Sequence, residues 1–168
     1  VMLTASDRLI RVGLGASADL TPPLWDVPCN CRAIGRIAWA GDRVVVGSHT
    51  DKSVRIHDSA TGGLLMSVTG SSRAEVWPYD VALATDGTIF ATDTIDKRIQ
   101  RINREGAFQA DLASGYAVGP RHLAVSDAAG AGTFVVTAMG DGFLELRDGG
   151  TGNLVLRWEA EEDGVPFY

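Results

Sequence analysis

The residues best suited to chemistry in this chain are its histidines and the charged residues that take similar places in the sequence. His122 follows Pro120 and Arg121 at the start of a short apolar segment, and Asp80 and Arg36 take the corresponding place in two earlier segments. A histidine and a carboxylate from neighbouring segments could contribute two metal ligands, but a metal site needs three or more. We therefore expect His122 and Asp80 to hydrogen-bond loop backbone, and we assign no catalytic residue, metal ligand or cofactor.

The remaining histidines and the two cysteines form no recognisable site. His49 and His57 lie at opposite ends of one predicted strand and cannot easily share a ligand, so we interpret both as turn or surface residues. Cys29 and Cys31 are not followed by a second Cys or His pair at zinc-finger spacing. We expect them to be free thiols.

The strongest candidate for a binding contact is the pair of aromatic residues Trp77 and Tyr79. Pro78 stiffens the backbone between them, and large amphipathic rings that are held rigidly make good interface anchors. We assign Trp77, Tyr79, Arg121 and His122 to contact with a protein partner. The alternative for the two rings is packing over the edge of a sheet.

The other tryptophans are interpreted from their positions in the predicted strands. Trp39 and Trp158 alternate with the apolar face of their strands, which predicts that both belong to a core between sheets. Trp25 lies in a proline-rich stretch and is not placed by the pattern.

Composition limits the function classes that the chain can belong to. The 168 residues are 45% hydrophobic and 21% charged, which is typical of a globular domain with a core. The net charge is −6 and basic residues are spread along the chain, so we expect no nucleic-acid partner. No apolar run is long enough to cross a bilayer. Of the 15 basic residues all but Lys52 and Lys97 are arginine, which reflects either codon usage or recognition of carboxylates and phosphates.

An aspartate recurs along the chain with a nearly constant spacing. Asp7, Asp51, Asp96 and Asp141 are separated by 44, 45 and 45 residues, and an apolar residue stands three positions after each. The alternation that follows is typical of a half-buried strand. A catalytic residue is needed once and a turn residue in every unit, so we expect each aspartate to cap its own turn.

A second marker has the same period. Residues 58–62 and 148–152 are matching Asp-x-x-Thr-Gly turns, and residues 103–106 fill the same slot with Asn and Gly. The Asp or Asn side chain accepts backbone N–H groups ahead of it, and the glycine adopts a positive φ. Each unit therefore reads as four strands joined by turns.

Four-stranded units of 40 to 50 residues are the signature of β-propeller blades. We predict an all-β fold with about four consecutive four-stranded blades that form part of a larger propeller. The blades cover approximately residues 1–24, 25–69, 70–114 and 115–160, and a further blade starts at 161–168. A sandwich or barrel would also need frequent turns, but it would not need a self-similarity of 45 residues.

The third unit resembles an NHL repeat between Pro78 and Gln100. It contains the proline, a Val-Ala pair, Asp-Gly, an apolar strand and an Arg-Ile-Gln strand in the expected order. The turns of the second and fourth units resemble those of YVTN and quinoprotein-type blades. The resemblance implies a toroid with a central channel and two faces lined by loops.

The resemblance does not select one activity, because propellers of this kind include binding modules, lactonases, lyases and structural units. We expect a non-enzymatic binding or scaffold module that mediates protein–protein interaction. The alternatives are a metal-dependent lactonase- or lyase-like enzyme with its site in the channel, and a structural piece of a larger assembly. Because the first unit lacks an inner strand, we expect further sequence, a second copy or a partner to complete the ring.

Overall fold

The computed structural model describes residues 2–5, 8–14, 20–29, 35–70, 77–128 and 132–159. All regular secondary structure in these ranges is β-strand, which confirms the predicted all-β class. The first sheet contains β1 (Met2–Ala5), β2 (Arg8–Leu14) and β3 (Leu20–Pro28). The second contains β4 (Arg36–Ala40), β5 (Arg43–Ser48), β6 (Ser53–Asp58) and β7 (Leu64–Thr69). The third contains β8 (Pro78–Leu83), β9 (Ile89–Asp93), β10 (Arg98–Ile102) and β11 (Ala113–Ser114). The fourth contains β12 (Pro120–Ala128), β13 (Gly132–Met139), β14 (Phe143–Asp148) and β15 (Leu154–Glu159).

Every sheet is an antiparallel meander whose strands are hydrogen-bonded in chain order. Three of the sheets have four strands, as the repeat predicts, and the first has three strands among the described residues. β3 continues to Pro28, beyond the approximate division of the chain after residue 24. It contains prolines and pairs with β2 at the edge of the described sheet, where a strand tolerates proline.

The sheets pack on one another in chain order through three apolar clusters. Leu9 and Trp25 pack on the second sheet, Val54 and Ile56 pack on the third, and Ile99 packs on the fourth. We call the side of a sheet that is turned towards the next sheet in the chain its forward face, and the opposite side its backward face. Between the second, third and fourth sheets the closest contacts are made by the first strands β4, β8 and β12.

Equivalent residues in the third strands of successive units are 45 residues apart throughout the chain. Leu9, Val54 and Ile99 are fully buried on the forward faces of three successive sheets, and Leu144 follows Ile99 at the same spacing. In the sequence analysis the spacing was counted from Asp7, and this placed Ile10 at the position that Leu9 occupies. Asp7 itself lies outside the described residues. A shift of one residue turns a strand's side chains to the other face, so the predicted register of the first unit is wrong.

The Asp and Asn turns have the geometry that the sequence predicts. Asp58 Oδ1 accepts hydrogen bonds from the N–H groups of Ala60 and Thr61 at 3.0 and 2.7 Å, and Gly62 has a φ of 76°. Asp148 accepts the same pair of bonds in the fourth sheet, at 3.1 and 2.6 Å. The bonds from Thr61 lower the pKa of Asp58 below its ordinary value, since they favour the charged carboxylate.

Arginines on the forward faces reach these turns in the following sheet. The contacts join Arg11 to the carbonyl of Ser59, Arg43 to that of Arg104, and Arg101 to those of Gly149 and Gly150. Ser59, Arg104 and Gly149 each directly follow the Asp or Asn that opens a turn. We call Arg11, Arg43 and Arg101 the cross-sheet arginines. A guanidinium group presents several N–H donors in a fixed plane, so one side chain can fasten a neighbouring backbone segment.

The recurring aspartate of the third sheet, Asp96, does not cap its own turn, contrary to the sequence prediction, while Asp7 lies outside the described residues. In the third sheet the N–H of Asp96 donates to Asp93 Oδ1 at 3.0 Å, so the cap lies three residues earlier. In the second sheet the N–H of Asp51 donates to Ser48 Oγ at 3.3 Å in the same way. The carboxylate of Asp96 instead forms an ion pair with Arg98 at 3.0 Å.

Candidate functional site

A β-bulge opens the first strand of the third sheet and of the fourth. The register of β8 on β9 shifts between Pro78 and Asp80, and that of β12 on β13 shifts between Pro120 and His122. Tyr79 and Arg121 are thus additional residues at equivalent places in neighbouring sheets. Both side chains are exposed, Tyr79 to 43%. Bulges commonly redirect a side chain next to a functional site.

Gly119 allows the second bulge to approach the third sheet closely. A Cβ atom at this position would lie 2.2 Å from the carbonyl oxygen of Thr94. The hydroxyl of Thr94 donates to the carbonyl of Pro120 at 2.7 Å, and the hydroxyl of Thr92 donates to that of Arg121 at 3.1 Å. The backbone that carries Arg121 is therefore fixed by the neighbouring sheet.

Asp80 holds the starts of the two first strands together. Its buried carboxylate accepts the N–H of Val81 at 2.9 Å through Oδ1 and that of Leu123 at 3.1 Å through Oδ2. Asp80 thus accepts backbone N–H groups, which lie in the strands β8 and β12 and not in loops as the sequence suggested. Both carboxylate oxygens are engaged, which makes Asp80 a residue that joins two strands.

His122, in the fourth sheet, lies beside side chains from the second and third sheets. Its Nδ1 atom is 3.5 Å from Asp80 Oδ2 and 3.4 Å from Arg36 Nη2. Its ring is edge-on to that of Tyr79, with 5.6 Å between the ring centroids. We call Arg36, Tyr79, Asp80 and His122 the first-strand cluster, because each lies at the start of β4, β8 or β12.

The accessible groups of this region are suited to an acidic ligand. Arg36 and Arg121 are exposed, and neither has a carboxylate within ion-pair distance among the described residues. Tyr79 adds an exposed ring with a hydroxyl group. Planar guanidinium groups bind carboxylates through two parallel hydrogen bonds, so the region could bind a carboxylate beside an aromatic contact.

Trp77, like His122, is only partly exposed, whereas Tyr79 and Arg121 are exposed. Trp77 is half-buried, with Lys52 Nζ 4.0 Å from its ring centroid and the ring of His49 at 5.2 Å. Both neighbours belong to the turn between β5 and β6. Trp77 therefore packs over the second sheet next to the first-strand cluster.

His57 is not a surface residue, contrary to the sequence interpretation. It lies in β6 with almost no solvent exposure, and its Nδ1 is 3.0 Å from the carbonyl oxygen of Gly62. Burial lowers its pKa, because removal from water disfavours the charged imidazolium. Position alone did not reveal this, since the residue stands one place before the polar turn that begins at Asp58.

Two further expectations fail in the structure. Cys29 is disulfide-bonded and is not a free thiol, while Cys31 lies outside the described residues. Trp39 and Trp158 are exposed and do not form a core. Trp25, which the pattern did not place, is buried in β3 and donates from Nε1 to the carbonyl of Ser59 at 3.1 Å.

The opposite end of the sheets contains a cavity of about 420 Å³ between the third and fourth sheets. Its lining includes Phe90, Asn103, Thr133 and Asp148, and Arg101 lines it as well and donates to the fourth sheet. None of the residues that the sequence assigned to a partner lies there. Among the described residues, no group of three or more His, Cys, Asp or Glu side chains is arranged to hold a metal ion.

Arg36 belongs to the site but was not among the residues assigned to a partner. The sequence placed it at the position that corresponds to Asp80 and His122, and this was the signal that could have identified it. Only the packing of β4 and β12 against β8, together with the distances between the side chains, shows that Arg36, Asp80 and His122 meet.

Comparison with known proteins defines the fold and no family. No protein-family model matches the chain, and no curated protein sequence does. The crystal structure of the computationally designed Ika8 protein is similar, with a TM-score of 0.63 and 19% sequence identity. The match covers 94% of this chain and 48% of that one, so this chain spans about half its length. The class that the fold defines is a series of stacked antiparallel sheets of the blade type.

In the part of the chain that the structure describes, no helix is long and apolar enough to cross a membrane.

Proposed function

We propose that this chain is a segment of an NHL/YVTN-type β-propeller that binds a protein partner at the end where its first strands begin. The binding residues are Tyr79, Arg121 and His122, with Arg36 beside them and Trp77 as a packed support. The partner presents a segment that carries a carboxylate. The function is binding and not catalysis.

The order of the sheets supports the propeller. Four meanders follow one another along the chain, each packs on the next, and the first strand β8 packs against β4 and β12, the first strands of the neighbouring sheets. Blades of a propeller have this connectivity and this arrangement of first strands around a channel. The period of 45 residues is in the range of one blade.

The observation that carries the binding proposal is the equivalence of Tyr79 and Arg121. A bulge costs a regular ladder position, and here it occurs twice, at the same place in neighbouring sheets. Each time it leaves an exposed side chain of a type that is enriched in the energetically dominant part of protein interfaces. The ring of His122 lies against that of Tyr79, and Arg121 directly precedes His122 in the chain, which supports treating the three residues as one binding region.

The charge of the region supports an acidic partner segment. Arg36 and Arg121 are exposed, and the nearby carboxylate of Asp80 is buried and turned into the backbone. A carboxylate that approaches from solvent therefore meets guanidinium groups before it meets Asp80. Charge complementarity of this kind favours association and restricts the choice of partner.

The proposal can be tested with peptides selected from a random library displayed on phage. Peptides that bind the wild-type chain would be labelled and titrated against the wild type and the Tyr79→Ala and Arg121→Ala variants by fluorescence anisotropy. We expect the selected peptides to be rich in Asp and Glu, and each substitution to weaken binding by about tenfold.

Arg104→Ala is the matched control, because Arg104 is a partly exposed arginine at the opposite end of the sheets, where it pairs with Asp42. Its affinity for the peptides should equal that of the wild type. Peptides without acidic residues, or affinities that Tyr79→Ala and Arg121→Ala leave unchanged, would contradict the proposal.

A further inference from the structure

The first sheet is attached to the second differently from how the later sheets are attached to one another. β4 and β5 lie close to β8, and β8 and β9 lie close to β12. Among the described residues, no strand of the first sheet approaches the second sheet as closely. The first sheet is held by the side chains of Leu9 and Trp25 and by a few hydrogen bonds. A region with few buried contacts opens at a lower free energy than a continuous core does.

His57 lies on the backward face of the second sheet, where the first sheet packs. In the ladder of the second sheet it pairs with Val44, which belongs to the apolar cluster shared with the first sheet, and Val44 in turn pairs with Trp39. Directly paired residues of an antiparallel sheet share a face. His57 is therefore at the boundary between the first and second sheets.

The ring of Trp25 covers the turn that holds His57. A Cβ atom at Gly62 would lie 2.7 Å from Cε3 of Trp25, and the carbonyl oxygen of Gly62 is 3.0 Å from His57 Nδ1. Trp25 Nε1 also donates to the carbonyl of Ser59 in the same turn. The first sheet thus contributes the ring that lies over the contact between Gly62 and His57.

The hydrogen bonding of His57 suits only the neutral imidazole. Nδ1 donates to the carbonyl of Gly62, whereas Nε2 is buried and has no hydrogen-bond partner among the described residues. Both ring nitrogens of an imidazolium are donors. A protonated His57 would therefore have a buried N–H group without an acceptor, which is costly.

Two arginines place positive charge at the same boundary. Arg55 precedes His57 by two residues on the same face of β6, and it donates to the carbonyl of Cys29, directly after β3, at 2.6 Å. Arg11 of β2 reaches the carbonyl of Ser59 from the first sheet. A proton on His57 would add a third positive charge to this region, which is unfavourable.

The nearby carboxylates do not offset this charge. Asp58 directs Oδ1 to N–H groups of its own turn, and Asp51 pairs with Arg55 at 3.6 Å. In the part of the chain that the structure describes, no carboxylate forms an ion pair with His57. Burial lowers the pKa of His57, the hydrogen bond to Gly62 offsets part of this effect, and Arg55 lowers the pKa further.

We propose that acid releases the first sheet from the second, with His57 as the group that takes up the proton. When the first sheet detaches, water reaches both ring nitrogens and solvates the positive charge. The detached arrangement then binds a proton near the ordinary pKa of 6.5, whereas the attached arrangement binds it only at lower pH. Release is therefore favoured as the pH falls below 6.5, by up to about tenfold per pH unit. This proposal does not depend on the binding function proposed above, because the first-strand cluster belongs to the second, third and fourth sheets.

Hydrogen exchange of the whole chain, followed by mass spectrometry at pH 7.5 and pH 5.5, tests the release. Protection factors, which remove the effect of pH on intrinsic exchange, would be compared between β2 and β3 of the first sheet and the buried strands β9 and β10. We expect the first sheet to be less protected at both pH values, and its protection to fall by about three- to tenfold between them. Equal protection of the two regions would overturn the proposal, because the first sheet would then open only when the whole chain unfolds. Unchanged protection of the first sheet would overturn it as well.

Substitution of His57 tests its part in the release. His57→Gln and His57→Asn remove the titrating group and keep a donor for the carbonyl of Gly62, so the fall in protection of β2 and β3 should disappear in both. His49→Asn is the matched control, because His49 lies in the turn at the other end of β6, against Trp77, and this variant should show the fall seen in the wild type. Circular dichroism would confirm that each variant is folded, and the comparison within the wild type needs no substitution. A fall that persists in both His57 variants, or that disappears in His49→Asn, would contradict the proposal.

Discussion

The two ends of the stacked sheets use the same residue type for different purposes. At the end with the Asp and Asn turns, Arg11, Arg43 and Arg101 donate to carbonyl groups of the next sheet. At the end where the first strands begin, Arg36 and Arg121 are exposed. The difference arises from the backbone around them, because a turn presents carbonyl groups to an arginine, whereas Arg121 is the extra residue of a bulge and Arg36 is the first residue of β4. Arginine content therefore indicates neither binding nor packing until the acceptors are known.

The two ends also differ in how their turns are built. The Asp58 and Asp148 turns are capped by the residue that opens them, and both have a glycine with positive φ. The turns at the other end are capped by Ser48 and Asp93, which precede the turn and lie inside the strand. The first kind of turn is readable from a short motif. The second kind depends on which strand residue faces the turn.

The largest effect is expected from breaking a turn at the Asp and Asn end. Gly152→Ala places a side chain at a φ of 78°, with its Cβ 2.2 Å from the carbonyl oxygen of Leu112 in the third sheet. The left-handed conformation and the overlap with backbone together should cost about 2–5 kcal/mol of unfolding free energy. Urea unfolding followed by tryptophan fluorescence measures this.

Gly150→Ala is the control in the same turn. A Cβ there would approach only Asp148 Oδ1, at 3.5 Å, which is an ordinary contact. Its unfolding midpoint should match that of the wild type. Equal losses for the two variants would show that the turn does not depend on Gly152.

A smaller loss is expected when the cap at the other end is removed. Asp93 is fully buried, caps Asp96 and pairs with Arg98 at 3.2 Å. Asp93→Ala should lower stability by about 2–3 kcal/mol, because it removes the acceptor of the Asp96 N–H and the buried carboxylate among those that pair with Arg98. Asp96→Ala removes only an exposed ion pair and should cost less than about 1 kcal/mol. A larger stability loss for Asp96→Ala than for Asp93→Ala in thermal unfolding would indicate that Asp96 is the cap.

Much of the fold was predictable because the chain repeats. The 45-residue period identified three complete units and the class of fold, and the Asp-x-x-Thr-Gly motif identified the turns with their hydrogen bonds. The first unit was predicted in the wrong register, since it was anchored on one aspartate, and Trp25 in β3 was not placed. A local signal is not sufficient where pairing with a neighbouring strand decides.

The candidate site was predictable only in part. Tyr79, Arg121 and His122 were selected from residue type and position, but the bulges that expose them require knowledge of the pairing register. Arg36 joins them through the packing of three sheets, which no spacing in the sequence expresses. The burial of His57 and the exposure of Trp158 depend on which face the next sheet covers, and an alternating pattern does not indicate that.

The buried His57 makes the unfolding free energy of the chain depend on pH. Because burial lowers the pKa of His57, the folded chain binds fewer protons than the unfolded chain below the ordinary value of 6.5. Stability should fall as the pH drops below 6.5, by at most about 1.4 kcal/mol per pH unit, until His57 is protonated in the folded chain as well.

His57→Asn, which keeps a donor for the carbonyl of Gly62, should flatten this dependence between pH 5 and 6.5 when unfolding is followed by urea titration. The lowered pKa values of Asp58, Asp127 and Asp148 act in a separate range, since their contribution is lost only as the pH falls below about 3.8. If the unfolding free energy of His57→Asn depends on pH as that of the wild type does, His57 is not the cause of the dependence.

The most direct test of the account is the stability of Arg101→Ala and Arg121→Ala measured side by side by urea unfolding. Arg101 fastens the third sheet to the fourth, so its loss should lower the unfolding free energy by about 1 kcal/mol, allowing for its partial exposure. Arg121 is exposed at its bulge, so its loss should change stability by less than about 0.5 kcal/mol. Equal losses, or a larger loss for Arg121→Ala, would contradict the division between arginines that hold the sheets together and arginines that are available to a partner.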